Sequence, residues 1–234
     1  MKLGIMQPYL FPYIGYWQLL ASVDKYVIYD DVNFIKGGWI NRNRILNNGK
    51  VQYFNVQLKG SSSFKRINEV QIQNDEIQIG KNKKTLYNAY HKSKMFDVVF
   101  PFLEEILEYN TNELVPYLEN SIKSICKYLD IDTQLILSSH VEKDNSLKGE
   151  DKVIEICKRL GADTYYNAIG GQSLYDTVHF QSNGIKLLFL KTNEIQYGQN
   201  SKVFEPNLSI IDVLMNNSKD EVRKMLKMYE LIED

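Results

Sequence analysis

The sequence predicts an α/β fold: a Rossmann-like, mainly parallel sheet with an inserted antiparallel hairpin and helical subdomain. Three observations predict it. Residues 2–31 read as strand, loop, helix and strand, the length of one βαβ unit. From residue 134 onward, short apolar runs again alternate with helical patterns, the signature of parallel strands joined by crossovers. Between them, residues 41–130 break the alternation with a hairpin signal and consecutive helical patterns. The 234 residues are enough for a proper core. They read as one α/β domain, 1–234, with 41–130 inserted.

The elements follow in order. Residues 3–6 are a short apolar strand, broken by the turn-rich Gln7-Pro8-Tyr9-Leu10-Phe11-Pro12-Tyr13 before a helix over 14–21. Residues 26–29 form a second strand ending in Asp30-Asp31. Lys36-Gly37-Gly38-Trp39 is a loop, 39–46 a strand, Asn47-Asn48-Gly49 a hairpin turn and 51–58 the returning strand. Residues 67–72 read as a third strand. Helices are expected over 77–90, over 100–108 with Pro101 in the first turn, and over 112–129, where Leu114, Leu118, Ile122, Ile125 and Leu129 form one apolar face. Residues 134–137 return to strand, 149–160 to a helix capped by Gly161, and 164–166 to a strand opening into Asn167-Ala168-Ile169-Gly170-Gly171. A short helix over 176–182 precedes a fully apolar strand over 185–190. Helices over 208–215, capped at Asn207 or Ser209, and over 219–232 complete the chain.

Composition narrows the function classes. A net charge of -1 and a pI near 6.3 do not mark a nucleic-acid or anionic-membrane surface. No apolar run reaches the roughly 20 residues that span a bilayer. The amino terminus lacks the apolar core of a secretory signal, so a cytoplasmic location is expected. Cys126 and Cys157 form no CxxC or metal-ligand pattern and read as buried packing residues.

Ligands of open α/β sheets sit beyond the carboxyl ends of the strands. That rule directs attention to residues 7–13 and 30–44. Gln7, Tyr9, Tyr13 and Tyr16 lie close to one strand end, and Gly15 lets a ligand or another backbone approach. The alternative is an aromatic cap over the core. Asp30 and Asp31 close the second strand as a catalytic or cation-binding pair, or as a solvated turn. Lys36, Arg42 and Arg44 supply positive charge beside them, suited to phosphate or carboxylate, although surface Arg on a hairpin is ordinary. Gly170-Gly171 follows a strand and could turn backbone N–H groups toward an anion. His91, His140 and His179 lack metal-ligand spacing; His140 follows a strand end, and His91 stands where an inserted helix could close the site. GxSxG, Walker A and GxGxxG motifs are absent.

The segments Gly4-Ile5-Met6-Gln7-Pro8-Tyr9, Phe11-Pro12-Tyr13-Ile14-Gly15-Tyr16, Val27-Ile28-Tyr29-Asp30-Asp31-Val32 and Gly38-Trp39-Ile40-Asn41-Arg42-Asn43 resemble the signature of the WbqC-like protein family. Leu147-Lys148-Gly149, Gly161-Ala162, Gly170-Gly171 with Tyr175, and the run from Phe204 to Asp212 extend the resemblance over nearly the whole chain. It implies a place in bacterial surface-glycan, O-antigen or lipopolysaccharide, biosynthesis, with some members proposed to transfer glycine to an amino sugar. The stretch Pro12-Tyr13-Ile14-Gly15-Tyr16 also resembles the first loop of nucleotidyltransferase-like folds, with Tyr16 in place of the histidine that steadies phosphoryl charge.

The resulting expectation is an aminoacyl or acyl transferase acting on an amino sugar held as a nucleotide derivative. Asp30 or His91 would accept the proton of the attacking amine, and Asn41 or a backbone N–H would steady the oxyanion. Gln7, Tyr9, Tyr13, Gly15, Tyr16 and Trp39 would shape the pocket. Asp31, Lys36, Arg42, Asn43, Gly170 and Gly171 would complete it. No metal is expected; the partners are the nucleotide-linked amino sugar and a carrier protein bearing the acyl or aminoacyl thioester donor, with no nucleic acid and no stable membrane insertion. A nucleotidyltransferase-like or adenylate-forming enzyme and a non-catalytic binding protein of a glycan-assembly complex are the alternatives.

Overall fold

The computed structural model describes residues 1–233 and is built on a six-stranded sheet. β1 (Lys2–Met6) and β2 (Lys25–Ile28) pair in parallel, with α1 (Ile14–Ala21) between them in sequence, as the opening pattern predicts. β3 (Arg42–Asn47) and β4 (Lys50–Asn55) form the antiparallel hairpin. Asn48 and Gly49 turn it at φ of 50° and 72°, the left-handed pair that tight hairpins require. β5 (Leu58–Lys59) pairs with β6 (Gln71–Ile72), and three helices follow: α2 (Glu76–Tyr90), α3 (Phe96–Leu107) and α4 (Leu114–Leu129). The chain then returns to the sheet through β7 (Gln134–Leu137), α5 (Gly149–Leu160), β8 (Thr164–Ala168), α6 (Thr177–Ser182) and β9 (Lys186–Thr192). It ends in α7 (Ile210–Asn216), α8 (Lys219–Met225) and β10 (Tyr229–Ile232).

The sheet order is β10-β9-β8-β1-β2-β7, and every neighbouring pair is parallel except β10 with β9. The chain builds outward from β1 through β2 to β7, then crosses to the other side of β1 for β8 and β9. The order therefore reverses between β1 and β8.

Side-chain alternation gives each sheet face its own core. Leu3, Ile5, Val27, Tyr165, Leu187 and Phe189 pack with Val153, Ile156 and Cys157 of α5 and Phe180 of α6. Tyr26, Ile28, Tyr166 and Leu190 face the other way, joining Trp17 and Leu20 of α1 and the apolar faces of α3, α4 and α7. The predicted stripe Leu114, Leu118, Ile122, Ile125 and Leu129 is fully buried there. Cys126 and Cys157 are buried and unpaired, and burial pushes both thiols up to about 12, so they pack rather than react.

The sequence reading departs from the fold in four places. Residues 219–232 are a two-turn helix followed by an antiparallel edge strand, because Tyr229–Ile232 finds open backbone partners along β9. Residues 67–72 divide into a 3₁₀ turn, Ile67–Glu69, and the two residues of β6. The hairpin strand begins at Arg42 rather than residue 39. Helix α3 begins at Phe96, which leaves Pro101 inside it instead of in its first turn.

Candidate functional site

A cleft of about 410 Å³ opens at the carboxyl ends of β1, β8 and β9, beside the reversal in strand order. Its volume falls within the range of small-molecule sites. Tyr9 and Tyr13 come from the loop after β1, Ile169 from the turn after β8, and Leu190, Lys191 and Thr192 from the end of β9. Trp39, Asn43 and Arg44 close it from the hairpin side, and Asn207 from the loop before α7. Another depression, of about 870 Å³, lies at the opposite, amino ends of the strands, around Asp24, Asp130 and Thr133. Sheet polarity favours the smaller cleft as the ligand site.

The loop after β1 is held by a set of hydrogen bonds. Phe11 has a φ of 41°, an uncommon conformation for a bulky residue, and its ring is fully buried. Its carbonyl accepts from Asn43 Nδ2 at 3.1 Å and from Ser209 Oγ at 2.7 Å. Asn43 Nδ2 also donates to Leu10 O at 3.0 Å, and Leu10 N to Trp39 O at 3.0 Å. Ile210 N donates to Pro12 O at 3.0 Å and Ser209 N to Arg44 O at 2.8 Å. Two walls of the cleft are thus tied to each other before any ligand arrives.

Gly15 sets the position of a third wall. A Cβ there would lie 2.5 Å from Tyr13 Cε2 and 2.6 Å from Thr192 Oγ1. Only glycine lets α1 approach both cleft residues so closely.

The lining combines aromatic faces, cations and amides. Burial raises the phenol pKa values of Tyr9 and Tyr13, with Tyr13 adding to the rise at Tyr9, so both stay O–H donors at neutral pH. Arg44 Nη2 donates to Pro206 O and Asn207 O, each at 3.2 Å, and the guanidinium stands 6.0 Å from the Trp39 ring centre. Its Nε is buried without a hydrogen-bond partner. A buried guanidinium N–H without an acceptor is costly. Arg44 gives the cleft its positive charge; the Lys191 ammonium is paired with Glu230 Oε1 at 2.9 Å.

The remaining sequence-predicted residues are dispersed. Asp30, only 1% exposed, accepts from Ser139 N at 2.9 Å and Asn68 Nδ2 at 3.3 Å, joining the ends of β2 and β7 to the 3₁₀ turn Ile67–Glu69. Asp31 pairs with Lys143 at 2.9 Å and Lys152 at 3.1 Å, all three side chains buried. Burial alone would raise the Asp31 pKa, but its bonds to the two lysines outweigh that and hold it below the ordinary carboxylate value. Neither carboxylate lines the cleft.

His91 is exposed at the end of α2, stacked on Tyr87 with its Nδ1 3.1 Å from Tyr87 O. Asn41 pairs with Val56 across the base of the hairpin, and Lys36 and Arg42 line a separate shallow depression. Arg42 donates to the carbonyls of Gly37 and Gly38. Tyr16 is 1% exposed; burial raises its pKa and its hydroxyl donates to Gln7 O at 3.3 Å. Gln7 therefore supports Tyr16 through its backbone. Gly170 and Gly171 lie in a 3₁₀ turn beyond β8, and a Cβ on Gly171 would meet the Asn167 side chain at 3.0 Å. Of the predicted set, Tyr9, Tyr13, Trp39 and Asn43 converge on the cleft, with Gly15 behind them.

Lys191, Thr192, Leu190 and Asn207 escaped the sequence reading as site residues, while Ile169 lies in the loop after β8 that the reading singles out. The carboxyl-end rule that located residues 7–13 applies equally to Thr192 at the end of β9. Asn207, at φ 55°, carried only the signal of a helix cap. Among the described residues, no group of three or more His, Cys, Asp or Glu is placed to hold a metal ion, and no helix is long and apolar enough to cross a membrane.

Comparison with known proteins bears on the whole chain. An uncharacterized protein of Mycobacterium tuberculosis (strain ATCC 25618 / H37Rv), Rv1507c, is 29% identical over 220 residues, which cover 92% of this chain and 93% of that protein. No solved structure matches the chain. The model of the WbqC-like protein family matches residues 7–224, from the loop that forms the cleft wall to α8, and the chain belongs to the WbqC-like protein family.

Proposed function

We propose that this protein is a transferase of bacterial surface-glycan assembly that holds a nucleotide-linked amino sugar in the β1/β8/β9 cleft and acylates its amine, with glycyl transfer as the leading case. The observation that carries the reading is the lining itself: three aromatic side chains and the guanidinium of Arg44 at the reversal point of a mainly parallel sheet. Counted along the sheet alone, the strand order is 3-2-1-4-5-6 from β7 to β10, with the sixth strand antiparallel; that doubly wound sheets of this order bind nucleotides at the reversal point supports the reading. Aromatic faces suit a sugar ring or a base, and the Arg44 guanidinium, with an unpartnered Nε, suits a diphosphate.

The chemistry asks little of the protein. The sugar amine forms a C–N bond to the carbonyl carbon of a thioester, the C–S bond breaks, and the amine proton ends on the departing thiolate. Tyr9 and Tyr13, held as phenols, are suited to donate to the oxyanion that forms between those two events. This reading places no base on Asp30, whose carboxylate oxygens already accept from Ser139 and Asn68, or on exposed His91. Nucleotidyl transfer receives less support, because Tyr16 is buried in the core.

The test is to incubate purified protein with nucleotide-linked amino sugars and glycyl or acetyl thioesters and to follow the mass of the sugar. A mass gain is expected, with kcat about 10²-fold lower in Tyr13→Phe and KM raised in Arg44→Lys. No gain with any pair, or full activity in both variants, overturns the proposal. Tight nucleotide-sugar binding without turnover would favour the non-catalytic reading.

A further inference from the structure

The near-neutral balance of the whole chain hides a local asymmetry. Between Asp31 and Glu69 there are seven basic residues, from Lys36 to Arg66, and no acidic one. The same stretch carries exposed apolar side chains. Phe64 is 94% exposed, Tyr53 53% and Ile35 52%. One exposed apolar residue is ordinary, but several gathered into a patch rimmed by polar groups mark an interaction site.

The fold joins these residues into one face leading to the cleft. Asn33 and Arg66 form an antiparallel bridge, with Phe34 N donating to Lys65 O at 2.9 Å and Ile67 N to Val32 O at 2.9 Å. That register sets Ile35 opposite Phe64. Beside them, Lys36, Arg42 and Ser61 line a depression of about 370 Å³. The Arg42 guanidinium covers the Tyr53 ring at 4.4 Å, Tyr53 neighbours Trp39 at 6.4 Å, and Trp39 lines the cleft.

We infer that this face docks an acidic partner protein that delivers the acyl donor to the cleft; the word donor rests on the acyl-transfer reading, while the docking rests on the surface alone. Charge complementarity selects the partner: a lysine-rimmed apolar surface, with Glu69 beside Arg66 as a flanking acid, matches a protein rich in Asp and Glu. A single-stranded nucleic acid fits less well. Such ligands stack successive bases on a row of free aromatic faces, whereas here Phe64 is bare but Arg42 occupies the face of Tyr53.

The probe is a phosphopantetheinylated acyl carrier protein loaded with glycine as its thioester, compared with the glycyl thioester of N-acetylcysteamine. Fluorescence anisotropy should show the carrier binding the full-length protein, with Kd raised by about tenfold or more in the Phe64→Ala/Lys65→Glu double variant and by added salt. Turnover of the carrier-bound donor should fall by a similar factor, while turnover of the small thioester stays at the wild-type value. Ile35→Ala, on the opposite strand, should weaken carrier binding in the same direction. The inference is overturned if wild type fails to bind the carrier, if the double variant binds it as tightly as wild type, or if only a single-stranded oligonucleotide binds this face. If neither donor is turned over but the carrier binds wild type and not the variant, acyl transfer fails and docking stands.

Discussion

Phe11 shows how single residues shape the cleft. A buried aromatic at positive φ costs roughly 1–2 kcal/mol, and it persists because Asn43 and Ser209 both hold its carbonyl. Gly15 acts by absence. Replacing an exposed helical glycine with alanine ordinarily stabilises by about 1 kcal/mol, but here the added methyl meets Tyr13 and Thr192 at contact distances no real Cβ adopts. Gly15→Ala is therefore expected to destabilise by about 1–3 kcal/mol in urea unfolding and to weaken nucleotide binding by displacing Tyr13. A stability gain with unchanged binding would show that the cleft wall yields freely. Residue-level reading of the sequence reached Tyr9, Tyr13 and Gly15 because proline, glycine and aromatic residues crowd one short loop, and Trp39 because it ends a second, glycine-bearing loop. It could not separate Tyr13 from Tyr16, since loop spacing does not say which ring enters the core and which faces the cleft.

The strand ends explain why Asp30 and Asp31 stand outside the cleft. Paired acids after an inner strand look the same in sequence whether they face a ligand or carry structure, and the lysines that decide the matter lie more than a hundred positions away in the loop after β7 and in α5. Asp31 joins β2 to α5 through Lys152 and to the loop after β7 through Lys143. Its folded pKa lies below the ordinary value, so the unfolded chain binds more protons in that window. The stabilisation is complete above the unfolded carboxylate pKa of about 4 and is lost as pH falls through the lower folded value. Wild type should lose stability on acidification below about pH 4. Asp31→Asn, which leaves two buried lysines uncompensated, should be roughly 3–5 kcal/mol less stable at pH 7 and should lack that increment of acid sensitivity. Urea titrations from pH 2.5 to 7 read both, and equal stability of the two proteins at pH 7 would remove the ion triad from the account. The same long-range dependence hid β10: residues 219–232 carry a helical pattern locally, and only the open edge of β9 turns their end into a strand.

For the whole molecule, the parallel sheet was legible because each strand is short, apolar and followed by a helical period, a local pattern. Strand order was not, because it depends on which side of β1 the chain takes after α5. That choice creates the cleft, and it brings together residues from three distant stretches, 9–44, 169–192 and 207. A ligand bridging those stretches should stabilise the entire fold, since unfolding any one of them abolishes the site. For a nucleoside diphosphate at one hundred times its Kd, linkage gives about 2.7 kcal/mol, which for a chain of this length corresponds to a rise in Tm of about 5–11 °C. Differential scanning calorimetry with UDP should show a shift of that order in wild type and a much smaller one in Arg44→Lys at the same concentration, because lysine retains the charge but loses the fork that meets a diphosphate. A shift of equal size in both proteins would assign the diphosphate to Lys191 or to another surface. No shift in wild type at millimolar UDP would mean that the aromatic and cationic walls of the cleft recognise something other than a nucleotide.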